Sequence, residues 1–198
     1  MKNIYALLFM VIFTFASVTI TTAQTKWNLD KSHSKVGFSV SHMVITDVEG
    51  NFKDFDATVT TTGEDFSTAK IDFTAKTASV YTENEKRDNH LRSDDFFNAE
   101  KYPNLTFKSK SIKQVSDNKY KLTGDLTMRD VTKEVVLDVK FNGIIKDMSG
   151  NTRAGFKITG ELNRMDYGLK FNALLGTGDA VVGNTVELII NVELIKAK

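Results

Sequence analysis

The chain has 198 residues, with 26 basic and 25 acidic side chains and no cysteine. This near-zero net charge argues against a nucleic-acid-binding protein, because such a protein needs a basic face, and against strong electrostatic docking to anionic lipid. The absence of cysteine excludes disulfide bonds, thiolate chemistry and a lipid-modified N-terminal cysteine. The apolar core alone therefore has to stabilise the domain, and a chain of this length can bury a core that is large enough.

The first 23 residues have the layout of a secretory signal peptide. Lys2, their only charged residue, precedes an apolar run, which is followed by small residues ending at Ala23. The run is about 13 residues long, shorter than the roughly 20 that span a bilayer, so a cleaved signal is favoured over an uncleaved anchor. We expect cleavage between Ala23 and Gln24, which leaves residues 24–198 as one mature domain with 25 charged residues of each sign.

The mature sequence alternates apolar and polar residues in eight runs, which is typical of β-strands with one dry and one wet face. Three segments suit short antiparallel turns because Gly, Asn and Asp accept positive φ: residues 49–51, 116–118 and 147–151. The pattern predicts an all-β domain, and on the residues alone a sandwich and a barrel both remain open. The runs are Val36–His42, Phe55–Val59, Ile71–Ala75, Leu105–Ser109, Tyr120–Met128, Val135–Phe141, Ala154–Leu162 and Val186–Val192.

One polar segment, residues 82–92, breaks this rhythm and predicts a helix of two to three turns. Thr82 and Glu85 have the spacing of a capping box, and Glu83 and Arg87 have the spacing of a surface ion pair. The segment is too polar for the core, so we expect the helix to cover an edge or an open end of the sheet.

The residues predict no catalytic set and no metal site. His33 and His42 are nine positions apart, so on one strand they face opposite sides and lie about 30 Å apart, too far to share an ion. No Gly-x-Ser-x-Gly elbow is present, and the glycine-rich residues 174–184 lack the Lys of a phosphate loop, which favours a connection at the rim of the sheet. His42 lies on a dry face, where a neutral hydrogen-bonded imidazole is the ordinary interpretation and contact with a ligand is the alternative.

The interior of the domain is rich in phenylalanine. The mature chain keeps 11 of the 14 phenylalanines, because Phe9, Phe13 and Phe15 belong to the signal. An eight-stranded barrel is just wide enough either to be filled by its own side chains or to hold one small ligand. The residues alone leave a filled and a hollow barrel equally open.

Four ordered segments resemble the YceI-like family of secreted proteins: residues 27–52, 90–109, 124–143 and 163–169. The matching positions cover essentially the whole mature chain, and there is one departure, because Asp130 stands where the family often has glycine. Prominent among the matching residues are Trp27, Asp30, His33, Phe38, His42, Leu91, Arg92, Phe96, Phe97, Tyr102, Pro103 and Phe107.

This resemblance implies a lipocalin-like antiparallel barrel with a long apolar cavity, a periplasmic location and binding of a polyisoprenoid, such as a quinone tail or a prenyl lipid. It brings no catalytic residue, no metal and no cofactor other than the bound lipid. The alternatives are a stress-related interaction protein with a filled barrel and an enzyme acting on an isoprenoid lipid. We expect no stable membrane insertion, and a homodimer remains open.

The resemblance also leads to a hypothesis for the binding residues. The cavity wall is assigned to inward positions of the strands, the entrance to the phenylalanine pair that follows the helix, and contacts with a polar head to one histidine and one arginine. The wall residues are Phe38, Val40, Phe73, Phe107, Leu126, Phe141 and Phe156. The entrance residues are Phe96 and Phe97, and the residues expected to contact a polar head are His42 and Arg92.

Overall fold

The structure is a computed structural model that describes residues 23–198. The predicted signal peptide lies outside the described residues, apart from Ala23. None of the helices in the described part has the length and apolar character needed to cross a membrane. The strands are β1 Gln24–Leu29, β2 Lys35–His42, β3 Thr46–Phe52, β4 Phe55–Thr62, β5 Asp65–Lys76, β6 Val80–Tyr81, β7 Asn104–Ser116, β8 Lys119–Met128, β9 Val131–Lys146, β10 Thr152–Asn163 and β11 Val182–Lys196, and the helix α1 is Glu85–Arg92.

The eleven strand segments form eight strands of a closed antiparallel barrel. Short 3₁₀ helices at Lys31–His33 and Thr77–Ser79 interrupt the first and third strands, so that β1 continues into β2 and β5 into β6. In the same way β3 continues into β4, because β1 pairs with β4 while β2 pairs with β3. The ring closes where β1 pairs with β11, for example at Trp27 opposite Lys196. The predicted eight-stranded barrel is therefore confirmed, and the sandwich is excluded.

The inward faces of the strands carry the apolar residues, as a period of two requires. In β8, Tyr120, Leu122 and Leu126 are buried, whereas Lys119 before them and Lys121 between them are exposed. The same alternation runs around the ring, so the dry faces meet inside the barrel and the wet faces form its outer surface.

One of the three predicted turns is wrong. Residues 49–51 lie inside β3, and the hairpin turn falls earlier, at residues 43–45. The turns at residues 116–118 and 147–151 connect β7 to β8 and β9 to β10, as predicted. In the latter turn Asp147 Oδ1 accepts hydrogen bonds from the backbone N–H groups of Ser149 and Asn151, both at 2.9 Å.

The predicted short helix is present, but it begins differently from the prediction. Asn84 is the N-cap, and its side chain accepts a hydrogen bond from the Arg87 backbone N–H at 3.0 Å. The capping box at Thr82 is wrong, because Thr82 donates its N–H and hydroxyl to buried Asp88 instead, at 2.8 and 2.5 Å. The ion pair with Glu83 is also wrong, since Arg87 donates to the hydroxyl and carbonyl of Thr82 at 2.7 and 2.6 Å.

Candidate functional site

A cavity of about 720 Å³ lies inside the barrel, within the ~300–1,000 Å³ range of small-molecule sites. All eight strands contribute to its wall, and nearly all the contributing side chains are apolar. Representative lining residues are Leu29, Phe38, Phe52, Phe55, Phe73, Phe107, Leu126, Leu137, Phe156 and Leu188.

Aromatic rings close one end of this cavity, which we call the floor. The centroid of the Trp27 ring lies 4.9 Å from that of Phe66, which lies 4.7 Å from Phe156, and Phe141 stacks on Phe156 at 5.2 Å. Trp27 is fully buried, and its indole Nε1–H donates to the Thr61 hydroxyl at 2.9 Å. The only polar group of this large side chain is therefore satisfied.

The opposite end, which we call the mouth, is built from α1, the β2–β3 turn and the connection from β10 to β11. Phe96 stacks on Phe171 at 5.3 Å, and the His90 ring stands edge-on to both, at 5.1 and 5.0 Å. Polar lining residues gather here, on α1, just before it and at the end of β2: Ser41, His42, Thr82, Asn84, Lys86, Arg87 and His90.

Glycines on the wall make room for aromatic rings. Phe38 lies opposite Gly50 on the neighbouring strand, and a Cβ at Gly50 would stand 2.4 Å from the Phe38 Cζ. Likewise, a Cβ at Gly124 would stand 2.4 Å from the Cζ of Phe107. Because each ring occupies the space above a glycine, it lies along the wall and leaves the centre of the barrel open.

A network around Arg129 ties the mouth together. The Arg129 guanidinium donates to the backbone carbonyls of Asp94 (2.9 Å), Phe96 (2.9 Å) and Gly168 (3.0 Å), and to the Asp94 carboxylate (2.8 Å). Hydrogen bonds from Lys170, then Arg129 and Asn98, lower the pKa of Asp94 to about 2. This network fixes the segment that carries Phe96 against the connection to β11.

Arg164 is a second cation that organises the mouth, and it is buried. Its guanidinium donates to the carbonyls of Leu169 (2.7 Å), Gly183 (2.8 Å) and Val182 (3.0 Å). Burial lowers the pKa of Arg164, and these carbonyls compensate for part of the lost hydration. Neither Arg129 nor Arg164 was predicted, although both lie in segments that carry the family resemblance.

Nine of the eleven predicted binding residues line the cavity, and two do not. Phe141 belongs to the floor cluster, and Arg92 points away from the cavity and donates to the carbonyls of Ala78 (2.8 Å) and Val80 (3.2 Å). The cations that line the cavity instead are Lys86, Arg87 and Arg164. The nine that line the cavity are Phe38, Val40, His42, Phe73, Phe96, Phe97, Phe107, Leu126 and Phe156.

His42 is half-buried at the end of β2 and lines the cavity. Within residues 23–198 its imidazole has no hydrogen-bond partner, which removes the interpretation of a hydrogen-bonded core histidine. The ring is therefore available to a ligand at the mouth.

Asp30, His33 and Glu193 bring their ligand atoms within 4.8 Å of one another, as in a metal site. An arginine already occupies this position, because Arg153 Nη1 lies 2.7 Å from Asp30 Oδ2 and 2.5 Å from Glu193 Oε1. Hydrogen bonds from Ser32, His33 and Arg153 lower the pKa of Asp30. The cluster is thus a compensated ion-pair network on the outside of the barrel.

The family model for the YceI-like domain matches residues 27–194. The chain belongs to the YceI-like family. It is 40% identical over 164 residues to a UPF0312 protein of Staphylococcus aureus, covering 82% of this chain and 93% of that protein. The predicted family is confirmed, and membership of it supports the prediction of a binding protein rather than an enzyme.

Solved structures share the barrel of this YceI-like domain. A YceI protein of Campylobacter jejuni is 38% identical, with a TM-score of 0.69 over 86% of this chain and 97% of that one. Two more distant neighbours share the fold alone. BcnA of Burkholderia cenocepacia has a TM-score of 0.72 at 23% identity, covering 84% and 99% of the two chains. A Saccharophagus degradans domain described as polyisoprenoid-binding has a TM-score of 0.63 at 16% identity, covering 86% and 98%.

Proposed function

We propose that this protein binds and carries a polyisoprenoid, or a similar long apolar chain such as an isoprenoid quinone tail or a prenyl lipid, inside the barrel. The observation that carries the proposal is the cavity of about 720 Å³, with apolar walls on all eight strands. Because rings close the floor, a chain enters at the mouth and ends against Phe66 and Phe156. The description of the S. degradans domain supports this class of ligand.

Energetics indicate carriage between apolar environments. At about 0.8 kcal/mol per buried CH₂, each five-carbon unit gains on the order of 4 kcal/mol on leaving water. Several units together would exceed any known noncovalent affinity, so the relevant competitor is the membrane. A cavity that only matches the apolar environment of a bilayer makes transfer nearly neutral, which suits a carrier or a reservoir.

The polar residues of the mouth suit a ligand with a polar head. His42, Lys86 and Arg87 line the cavity there. The charged residues of the cavity wall are Lys86, Arg87 and Arg164, and all three are basic. A hydrocarbon chain in the lumen would place its head group beside these donors. The mouth therefore favours a polar or anionic head over a purely hydrocarbon end.

We also propose that the protein acts in the periplasm after export. The layout of residues 1–23 supports export. An apolar chain needs a carrier in such an aqueous compartment, because water between two membranes opposes its free diffusion.

The proposal is tested by mass spectrometry of a solvent extract of the purified protein. We expect a stoichiometric isoprenoid lipid in the parent and its loss in Phe107→Asp, which places a charge on the apolar wall. Val136→Asp is the matched control, because Val136 is 54% exposed on the outer face of β9. Since a buried charge can also prevent folding, Leu126→Trp narrows the lumen without adding charge. Unchanged lipid content in a folded Leu126→Trp variant would contradict the proposal.

The two alternatives have distinct outcomes. A filled barrel is incompatible with the observed cavity, and it would also yield an extract without lipid. An enzyme acting on an isoprenoid lipid would convert a candidate prenyl lipid on incubation, and chromatography of the recovered lipid would reveal the product. We expect the lipid to be recovered unchanged.

A further inference from the structure

The turn between β2 and β3 carries three consecutive apolar side chains, all of them exposed. The exposed fraction is 39% for Met43, 66% for Val44 and 86% for Ile45. Leu174, 61% exposed, lies on the neighbouring connection. That connection is joined to the turn, since the Met43 backbone N–H donates to the Val181 carbonyl at 2.9 Å. We call Met43–Ile45 and Leu174 the apolar tip.

Local backbone preference does not explain the residues of this turn. Met43 and Val44 both adopt positive φ, at 52° and 66°. Tight hairpin turns with two such residues strongly prefer Asn-Gly, and a β-branched residue in this conformation is a steric outlier. Residues held in such conformations cluster at functional sites, so the exposed side chains of the tip call for an explanation outside the turn itself.

The position of the tip supplies that explanation. The tip extends from His42, which pairs with Val182, and both residues line the cavity at the mouth. On another side of the same mouth, α1 presents Lys86 and Arg87 to the cavity. An apolar projection and cations around the same mouth fit the surface of a bilayer with anionic phospholipids, in which side chains enter the acyl region and cations meet the phosphates.

We propose that the apolar tip docks the mouth of the barrel on a phospholipid bilayer. Docking would let an apolar chain pass between the membrane and the cavity without crossing water. This role for docking rests on the proposed function. A tip of four side chains predicts reversible docking at the interface, which accords with the expected absence of stable insertion.

Flotation of the purified protein with vesicles of phosphatidylcholine and phosphatidylglycerol tests the docking. The informative variant is Met43→Asn with Val44→Gly, because it supplies the residues that the turn prefers and should fold at least as well as the parent. It also removes two apolar side chains from the tip. We expect its affinity for vesicles to fall about tenfold or more.

The matched control lies at the opposite end of the barrel. Ile145 is 64% exposed beside the β9–β10 turn, much as Val44 is exposed at the tip. We expect Ile145→Ser to float like the parent. The proposal is overturned if the tip variant floats like the parent, if both variants lose binding equally, or if the tip variant loses only self-association, which would make the tip a contact between copies.

Uptake of a polyprenol from detergent micelles separates this inference from the proposed function. We expect the tip variant to take up the polyprenol as the parent does, since its cavity is intact. If the parent takes up the polyprenol but the tip variant floats with vesicles as the parent does, docking is contradicted and the binding function is still supported. If the tip variant loses flotation but neither the parent nor any variant takes up the polyprenol, the binding function is contradicted and docking is still supported.

Discussion

The two ends of the barrel differ in how their turns are built. At the floor end, the turns after β4 and β9 place glycines at positive φ: Gly63 at 60° and Gly150 at 78°. At the mouth, Gly168 and Gly178 adopt positive φ too, and so do five residues with side chains, for which this conformation has a steric cost. These five are Met43, Val44, Glu83, Asn98 and Arg129, which are all the non-glycine residues with positive φ between residues 23 and 198.

The floor is therefore built mainly for stability, and the mouth is built mainly for access to the cavity. Buried rings such as Trp27 and Phe66 hold the floor together. Polar networks around Asp88, Arg129 and Arg164 hold the mouth, over a backbone that is locally strained. We expect changes at the floor to alter global unfolding and changes at the mouth to alter local opening and ligand exchange.

The largest effect is expected at the floor. Trp27→Ala removes a fully buried ring and should lower the free energy of unfolding by about 3–5 kcal/mol, as measured by urea denaturation. Phe171→Ala at the mouth removes a half-buried ring and should cost clearly less. Equal losses from the two variants would contradict the contrast between the ends.

A smaller effect is expected on the wall between the two ends. Gly124→Ala forces the Phe107 ring off the wall, which should cost about 1–3 kcal/mol and reduce polyprenol uptake. Gly155→Ala is the control, since a Cβ there meets the Asn142 Cβ at an ordinary 3.6 Å. If Gly124→Ala keeps both stability and uptake, the glycine does not hold the lumen open.

At the mouth, Arg129→Met removes the donors of the network and keeps the aliphatic stem. We expect a loss of about 1.5–3 kcal/mol, the range for hydrogen bonds to a charged group. Hydrogen exchange should accelerate at the Phe97 amide, which donates to the Leu91 carbonyl at 3.0 Å. Exchange at the floor strands should stay unchanged, and equal acceleration there would show that the network is not local.

The smallest effect is expected from acid. The pKa of Asp94 falls from 3.8 to about 2 on folding, so its carboxylate stabilises the mouth fully above pH 4, and this contribution is lost as the pH falls towards 2. Exchange at the Phe97 amide should therefore accelerate over this window, beyond its intrinsic change with pH. Asp94→Asn should remove that acceleration, and a variant that retains it would assign the transition to another group.

Periodicity predicted the strands and the all-β class because alternation directly reports which side of a strand is dry. The choice of a barrel over a sandwich came from the family resemblance. The predicted turn at residues 49–51 failed because Gly50 serves another purpose: it leaves space for the Phe38 ring on the adjacent strand. The turn at residues 43–45 was not predicted because Met43 and Val44 are not residue types that favour turns. Glycine therefore marked a close approach here, and the turn lacked its usual residues.

The residues of the candidate site could be predicted where they lie on strands. They could be predicted less well where the conformation of a loop determines which groups a side chain contacts. Phe107 and Leu126 followed from alternation, and both line the cavity. Phe141 also points into the barrel, but its position along the barrel axis places it in the floor cluster. Arg92 and Arg129 depend on which loop carbonyls come within reach, and a single sequence does not reveal that.

Native mass spectrometry of the purified protein shows whether the cavity holds an elongated apolar chain. After incubation with a long-chain polyprenol we expect a single adduct at one molecule per chain, retained by Val136→Asp and reduced in Leu126→Trp. Only the bare protein mass, under conditions that preserve the fold, would contradict the account.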